Sequence, residues 1–348
     1  MGSVLAISTS RGLAMRLVKK NRSIVVITGA SAGVGRAVVR EFAKRGARIG
    51  LIARGIDRLD ETRAEVEKLG GEALILPADV ADPEAISECA KKVESAYGPI
   101  DIWINNAMVS VYAPIKETPP EEFRRVMEVT FLGYVNGTKA ALSSMLPRDR
   151  GTIVQVGSAL SYRSIPLQSA YCAAKHAILG FTNSLHSELI HDRSNLKLTT
   201  VHLPAVNTPQ FQWAKSRLSH LPRPVSPVFQ PEIVEKSIFY AAYHPKREYW
   251  IGLPTTKAIL VEKFLPRLGD WFLGKRGYSA QETSSQPTRA SSEGNLWESV
   301  PGSLQTHGPF DFEAHSFSLP MWLGRHRRSG LLTVAAAGLA AFSMRLRS

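Results

Sequence analysis

Cysteine is scarce in this chain of 348 residues, which contains only Cys89 and Cys172. Neither lies in a Cys-x-x-Cys motif or at a spacing from histidine that suits a metal ion. The sequence thus argues against a structural zinc site and against a secreted disulfide framework. We expect a protein of a reducing, cytoplasmic compartment that holds no metal.

Acidic residues are missing from both ends of the chain. Residues 1–22 contain five lysines and arginines, and residues 321–348 contain five arginines. These ends carry most of the formal net charge of +13. The body between them has charges of both signs interspersed, so we expect no basic face for nucleic acid. Basic ends are better suited to an anionic membrane surface.

The sequence also lacks a secretory signal and a membrane span of ordinary length. Residues 1–22 have no sustained apolar core, and we interpret them as a basic leader. Residues 331–344 are uncharged, but as a helix they would cover roughly 21 Å of a hydrocarbon layer roughly 30 Å thick. We interpret residues 321–348 as a tail that lies in the membrane interface or spans it under strain. The alternative is a helix docked on a sister subunit.

Short apolar runs alternate with helical stretches from residue 23 onward. The runs are apolar almost throughout, as in a parallel sheet that is covered on both faces. They predict an α/β fold, a doubly wound parallel sheet formed by a single domain over residues 23–255. The predicted strands are residues 24–28, 47–53, 73–77, 100–105, 151–157 and 196–203.

A C-terminal extension, residues 256–320, follows this domain. From residue 280 its composition shifts to Ser, Gln, Thr, Pro, Gly and His, and both helical and strand periods disappear. We interpret residues 280–320 as a linker or as a tail that lies on the surface of the domain.

Three glycines, Gly29, Gly33 and Gly35, separate the first predicted strand from an amphipathic helix. Glycine lets the backbone approach a phosphate closely, and a helix N-terminus offers unpaired N–H groups and a partial positive charge. The position of this loop after the first strand of an α/β repeat predicts a dinucleotide site.

The end of the second predicted strand indicates which dinucleotide binds. A carboxylate there would bind the ribose of NAD, but this chain has Arg54, with Arg58 one helical turn later. A guanidinium can bind the 2′-phosphate of NADP through paired hydrogen bonds. We therefore predict NADP(H) as the cofactor.

A candidate reacting group is formed by Ser158, Tyr171 and Lys175. Tyr171 and Lys175 are four residues apart, so on a helix they share one face. An ammonium group beside the phenol would lower the pKa of Tyr171 and let it exchange a proton with a substrate oxygen. Ser158, at the end of a predicted strand, could donate a hydrogen bond to the same oxygen.

These motifs, together with Asp79-Val80 and Asn105-Asn106-Ala107, occur in an order and at a spacing that resemble the classical short-chain dehydrogenase/reductase family from about residue 23 to residue 253. The resemblance implies a Rossmann fold, an oxidoreductase activity and a homo-oligomer formed through the helices that flank the sheet. It implies that the pyrophosphate is held by Gly29, Ser31, Gly33, Val34 and Gly35. It further implies adenine contacts from Asp79 and Val80, a cofactor-facing strand end at Asn105 and Ala107, and nicotinamide contacts from Thr208, with Val206 nearby.

The same resemblance makes Tyr171 the acid/base, Lys175 the ligand of the nicotinamide ribose and Ser158 the group that orients the substrate carbonyl. One departure concerns Thr130, which stands where the family has a catalytic asparagine. We expect Thr130 or a water molecule to complete the proton relay.

The segment after Thr208, residues 209–231, is rich in proline and aromatic residues, and we interpret it as a substrate lid. With Leu160, its residues Phe211 and Trp213 predict an apolar pocket beside Ser158 and Tyr171. The leading hypothesis is an NADP(H)-dependent enzyme that interconverts a carbonyl and an alcohol on a lipophilic small molecule. The alternative is an NADP(H)-binding scaffold or sensor whose chemistry is weakened at Thr130.

Overall fold

The computed structural model describes residues 22–287, 294–302 and 305–317. The predicted leader, except for its last residue, and the whole predicted tail 321–348 lie outside the described residues. The strands are β1 Ile24–Thr28, β2 Arg48–Ala53, β3 Glu72–Pro77, β4 Ile102–Asn105, β5 Val111–Tyr112, β6 Thr152–Ser158, β7 Lys197–Leu203, β8 Lys215–Ser216, β9 His220–Pro222, β10 Glu248–Trp250 and β11 Glu282–Pro287. The α-helices are α1 Gly33–Ala43, α2 Ile56–Lys68, α3 Pro83–Tyr97, α4 Pro120–Met127, α5 Gly133–Met145, α6 Ser169–His191, α7 Gln210–Trp213, α8 Pro231–Tyr243, α9 Gly252–Phe264 and α10 Pro266–Arg276.

Seven strands form one parallel sheet in the order β10-β7-β6-β4-β1-β2-β3. Helices cover both faces, so the predicted doubly wound α/β fold of the Rossmann type is confirmed. From β1 the chain proceeds outward through β2 and β3, and then returns to place β4 on the other side of β1. The carboxyl ends of the strands open a crevice at such a reversal of strand order, which is where ligands bind in sheets of this kind.

The side chains of β1 point alternately to the two faces of the sheet, and both faces are buried. Val25 and Ile27 pack into one buried cluster, which includes residues of α1 and α8. Ile24 and Val26 point to the opposite face and pack into a second cluster with residues of α3, α5 and α6. Because successive side chains of a strand face opposite sides, a sheet buried on both faces needs apolar residues at every position.

The six predicted strands are all present, with ends that differ from the prediction by at most two residues. The sequence analysis missed β10, which is the edge strand beside β7. Its residues are Glu248, Tyr249 and Trp250, and all three are only partly buried. A short edge strand with a charged residue lacks the apolar run on which the other predictions rested.

The C-terminal extension packs against the domain where it is described. β11 pairs antiparallel with β9, and the side chains of Leu296 and Phe310 are buried. Residues 294–302 and 305–310, named the C-terminal strap below, therefore lie on the domain. Among the described residues, no helix is both long enough and apolar enough to cross a membrane.

Candidate active site

A cavity of about 550 Å³ lies at the carboxyl edge of the sheet. Nearly all of the predicted site residues line it. They are Gly29, Ser31, Gly33, Val34, Gly35, Arg54, Arg58, Asp79, Val80, Ala107, Ser158, Leu160, Tyr171, Lys175, Val206, Thr208, Phe211 and Trp213. The fold thus brings together groups that are separated by more than a hundred residues in the sequence.

The glycine loop has the tight geometry that its sequence predicts. Gly29 and Gly33 have φ angles of 66° and 50°, in the left-handed region that favours glycine. A Cβ atom on Gly35 would lie 2.0 Å from the carbonyl oxygen of Gly29, so no other residue fits there. At the start of α1, Ala32 provides no side-chain cap for the N–H groups. This cradle of backbone donors at a helix N-terminus suits a pyrophosphate group.

Ser158 and Tyr171 face each other across the cavity from β6 and α6. The hydroxyl oxygen of Ser158 accepts a hydrogen bond of 3.0 Å from the N–H group of Leu160, which leaves its proton free to be donated. Burial raises the pKa of Tyr171 above its ordinary value, and a hydrogen bond from Ser158 opposes this increase. The tyrosine hydroxyl is therefore protonated at neutral pH.

Lys175 is buried one turn beyond Tyr171 on the same helix face. Its Nζ atom donates to the carbonyl oxygen of Val156 at 2.8 Å and to the hydroxyl of Tyr134 at 3.1 Å. It lies 5.6 Å from the ring centroid of Tyr171. Burial lowers the pKa of Lys175 to about 7.

The expectation that Lys175 lowers the pKa of Tyr171 is wrong for this structure. The Lys175 ammonium is directed at Val156 and Tyr134, and burial lowers its own pKa. The main influence on the pKa of Tyr171 is therefore its burial, which raises it. The sequence analysis missed Tyr134, whose buried hydroxyl also donates to the carbonyl of Val156 at 2.9 Å. It lies four residues after Thr130, in a stretch with no motif that would have singled it out.

Thr130 and Asn105 do not line the cavity that the described residues form. The hydroxyl of Thr130 is buried, donates to the carbonyl oxygen of Val109 at 2.9 Å and accepts from its N–H group at 3.0 Å. The prediction that this hydroxyl joins the proton relay must be corrected, because its only proton is used to hold Val109. Thr130 lies in a π-helical turn, residues Glu128–Leu132, between α4 and α5.

The side chain of Asn105 is hydrogen-bonded to neighbouring residues of the sheet and of α5. Its side-chain amide donates to Gln155 at 2.9 Å and to Thr138 at 3.1 Å, and its oxygen accepts from the indole of Trp103 at 2.8 Å. The prediction that Asn105 faces the cofactor site must therefore be corrected, because its side chain is bonded within the framework and does not line the cavity that the described residues form. Asn106 and Ala107 line the cavity, and Asn106 donates to the carbonyl of Thr28 at 3.0 Å.

Arg54 and Arg58 both line the cavity where β2 ends, and the C-terminal strap shares this region. Arg54 donates to the carbonyl oxygens of Asn295 at 2.5 Å and Trp297 at 2.8 Å. Asn295 and Ser299 line the cavity beside the two arginines. The sequence could not predict this contact, because Arg54 binds backbone carbonyl groups, which every residue type has.

The strap also contacts the predicted adenine and pyrophosphate positions. Arg125 forms an ion pair with Asp79 and donates to the carbonyl of Leu296 at 3.1 Å. The side chain of Leu296 is fully buried in the cluster that contains Val80. Further along the strap, the carbonyl of Gln305 accepts from the N–H group of Gly33 at 3.4 Å.

The opposite end of the cavity is apolar. It includes Leu160, Phe211 and Trp213, which were predicted to contact substrate. Residues 223–227 of the predicted lid also line the cavity. The sequence analysis missed a second wall from α9 and α10, which is formed by Pro254, Ala258, Val261, Phe272 and Leu273.

Comparisons with known proteins agree with this geometry. The family model for short chain dehydrogenases matches residues 23–218. The chain belongs to the short chain dehydrogenase family. Its match covers β1 to β8, which include the glycine loop, Ser158, Tyr171 and Lys175.

Several curated proteins are similar to this short chain dehydrogenase. An uncharacterized oxidoreductase, YxnA of Bacillus subtilis, is 32% identical over 286 residues, which are 82% of this chain and 80% of that protein. Dehydrogenase/reductase SDR family member 7B of Rattus norvegicus is 34% identical over 56% of this chain and 63% of its own length. A fatty acyl-CoA reductase of Acinetobacter baylyi is 30% identical over 64% of this chain and 74% of its own length.

Membership of this family implies a nicotinamide cofactor, either NAD or NADP. The glycine cradle and the buried Lys175 fit the pyrophosphate and nicotinamide ribose of such a cofactor. Bound there, the cofactor would supply or accept a hydride, and the chain would supply alignment and proton transfer.

Proposed function

We propose that the chain is an NADP(H)-dependent oxidoreductase that interconverts a carbonyl and an alcohol on a lipophilic small molecule. The observation that carries this proposal is the convergence of Ser158, Tyr171 and Lys175 on one cavity with the glycine cradle. A family fold alone would not carry it, because a fold hosts many functions.

Tyr171 is the proposed acid/base. Burial keeps its hydroxyl protonated at neutral pH, and this state suits proton donation to a carbonyl oxygen, the direction of reduction. Ser158 donates a hydrogen bond to the same oxygen and stabilises its developing negative charge. Lys175, fixed by Val156 and Tyr134, holds the nicotinamide ribose in place.

Arg58 and Arg54 support NADP(H) over NAD(H). Both guanidinium groups lie at the end of the cavity that follows β2, and the residue there is an arginine instead of a carboxylate. Arg58 is the more available of the two, because Arg54 is bonded to the strap.

The apolar end of the cavity supports a lipophilic substrate. Leu160, Phe211 and Trp213 face it from one side, and Phe272 and Leu273 face it from α10. The relative that is named a fatty acyl-CoA reductase suggests a long alkyl chain as one substrate to examine. Residues 209–231 act as the substrate lid in this proposal.

A cofactor sensor is the second candidate. The observations that favour it are the Thr130 hydroxyl, which is held by Val109, and the strap contacts at the adenosine end. A sensor would bind NADPH without turnover, whereas the proposed enzyme would oxidise NADPH in the presence of a suitable carbonyl.

The test begins with titration of the full chain with NADPH and with NADH, followed by fluorescence. The proposal expects tighter binding of NADPH, and it expects Arg58→Ser to weaken NADPH binding by about tenfold or more with little effect on NADH. Arg63→Ser is the matched control, because Arg63 is an exposed arginine of α2 that pairs with Asp60. Equal loss for both cofactors in Arg58→Ser would contradict recognition of a 2′-phosphate.

The second stage is oxidation of NADPH against a panel of lipophilic aldehydes, ketones and acyl thioesters. Turnover of at least one substrate class supports the enzyme. Tight NADPH binding with no turnover across the panel would favour the sensor.

A further inference from the structure

An exposed apolar surface lies on α9, α10 and the residue between them, and only its Phe272 also lines the cavity. Its main members are Phe264, Leu265, Leu268, Trp271 and Phe272, each of which is at least half exposed. We name these five residues the hairpin face. Single exposed apolar residues are ordinary on a protein surface, but five within nine consecutive positions form a patch that water solvates poorly.

The way α10 is attached leaves this face free. Gly269 is the buried residue of the helix, and a Cβ atom there would lie 2.9 Å from the Cζ atom of Arg163. Arg163 also donates to Glu262 on α9 at 2.5 Å and to Asp270 on α10 at 2.7 Å. The helices are thus fixed to the domain by one side, and most of the remaining residues of α10 are exposed.

The acidic residues of α9 and α10 are paired with the domain, and basic residues remain on the helices. Glu262 and Asp270 are the only acids between residues 252 and 276, and Arg163 binds both. Five basic residues accompany them in the same stretch, at positions 257, 263, 267, 275 and 276. Lys257 lines the cavity and Lys263 lies over the rings of Tyr162 and Trp250. The other three basic residues are on α10 with the apolar patch, and both acids are paired with Arg163, so the surface around the patch is basic.

Rings and charges lie side by side on this surface. The Nζ atom of Lys275 is 4.3 Å from the ring centroid of Trp271, and the guanidinium carbon of Arg276 is 5.9 Å from that of Phe272. Tryptophan and phenylalanine with neighbouring lysine and arginine are the composition of segments that lie in the interface of a bilayer. Their rings enter the acyl boundary, and the long basic side chains reach the headgroups.

We propose that the hairpin face docks on the surface of an anionic lipid bilayer. The basic residues favour this occupant over a second copy of the chain, since the two copies would repel each other at this patch. Phe272 also lines the cavity, so docking would place the apolar end of the cavity next to the lipid. The docking itself does not depend on the proposed function.

The first experiment attaches an environment-sensitive fluorophore to Leu268→Cys in the full chain. Cys89 and Cys172 are both buried, so labelling is directed to the new thiol. Ile190→Cys is the matched control, because Ile190 is an exposed apolar residue on α6. We expect phosphatidylcholine vesicles that contain phosphatidylserine to shift the emission of the probe at residue 268 to the blue, with no shift at residue 190.

The second experiment measures vesicle binding of the triple variant Phe264→Ala, Leu268→Ala and Trp271→Ala, none of which lines the cavity. Its partition coefficient is expected to fall at least about tenfold. Substituting Arg267, Lys275 and Arg276 with serine is expected to weaken binding to anionic vesicles by about fivefold for each residue. The triple control Ile115→Ala, Ile190→Ala and Phe312→Ala, at exposed positions elsewhere, is expected to bind like the unaltered chain.

Two results would overturn the proposal. Vesicle binding with no emission shift at residue 268 would assign all lipid contact to another part of the chain, such as residues 321–348. A shift without vesicles that grows with protein concentration would make a second copy of the chain the occupant of the face.

Discussion

The guanidinium of Arg54 lies 2.8 Å from the carbonyl oxygen of Trp297, 243 residues further along the chain. Arg54 is also one of the two arginines after β2 that we propose to bind a 2′-phosphate. One side chain thus has two competing partners, and the strap must release Arg54 before a phosphate can take its place.

This competition predicts that a weaker strap speeds cofactor binding. Leu296→Ala removes most of a fully buried side chain of the strap, which costs about 2–5 kcal/mol of its docking free energy. The association rate constant for NADPH, measured by stopped-flow fluorescence, is expected to rise severalfold. Leu189→Ala, a buried leucine of α6 outside the cavity lining, is the control. An unchanged association rate together with weaker NADPH binding would show instead that the strap is part of the cofactor site.

A second prediction concerns Thr130, which the structure assigns a positioning role. Thr130→Val keeps the shape of the side chain but loses both hydrogen bonds to Val109, so the free energy of unfolding is expected to fall by about 1–3 kcal/mol. NADPH affinity should change little, because Thr130 does not line the cavity formed by the described residues. If turnover is lost while the unfolding free energy stays the same, the hydroxyl takes part in proton transfer after all.

A third prediction concerns Glu235, a buried carboxyl group on α8. Its Oε1 atom has no hydrogen-bond partner among the residues that the structure describes. Burial raises its pKa to about 8; Lys44 opposes this rise, whereas Glu41 and Glu232 add to it. In the unfolded chain Glu235 has an ordinary pKa of about 4.5 and releases its proton above that pH, whereas the folded chain keeps the proton until about pH 8. The free energy of unfolding therefore falls as the pH rises from about 4.5 to about 8.

Glu235→Gln should remove this dependence. The variant is expected to be more stable than the unaltered chain by about 1–3 kcal/mol near pH 8 and nearly equal to it near pH 4.5. Urea denaturation at both pH values measures the difference. An equal difference at both values would mean that Glu235 has an ordinary pKa.

The fold could be predicted from the sequence because its main signals are local. The run at β1 is apolar at its first four positions, and the interior of β6 is apolar except for Gln155, whose buried side chain is hydrogen-bonded to Asn105 and Thr138. The positions of Gly29, Tyr171 and Lys175 could be predicted for a related reason, because a positive φ angle and a four-residue helical spacing both depend on near neighbours in the chain.

The parts that the sequence did not reveal depend on tertiary contacts. Leu296 and its neighbour Trp297 are apolar residues in a stretch that is mostly polar, and only the folded chain shows that Leu296 is fully buried. The hydrogen bonds of the Thr130 hydroxyl are made with the backbone of Val109, and the increase in the pKa of Tyr171 results from its burial. Neither could be predicted from nearby residues in the sequence. Helices α9 and α10 were missed because many of their apolar residues are exposed and their apolar residues follow no clear amphipathic period.

The central claim is that Tyr171 transfers a proton in a reaction that uses NADPH. Its most direct test compares the unaltered chain with Tyr171→Phe, measuring NADPH affinity and carbonyl-dependent NADPH oxidation on the same preparations. We expect turnover to fall by about 10²- to 10⁴-fold while NADPH binds with unchanged affinity. Turnover that persists in Tyr171→Phe at the rate of the unaltered chain would contradict the account.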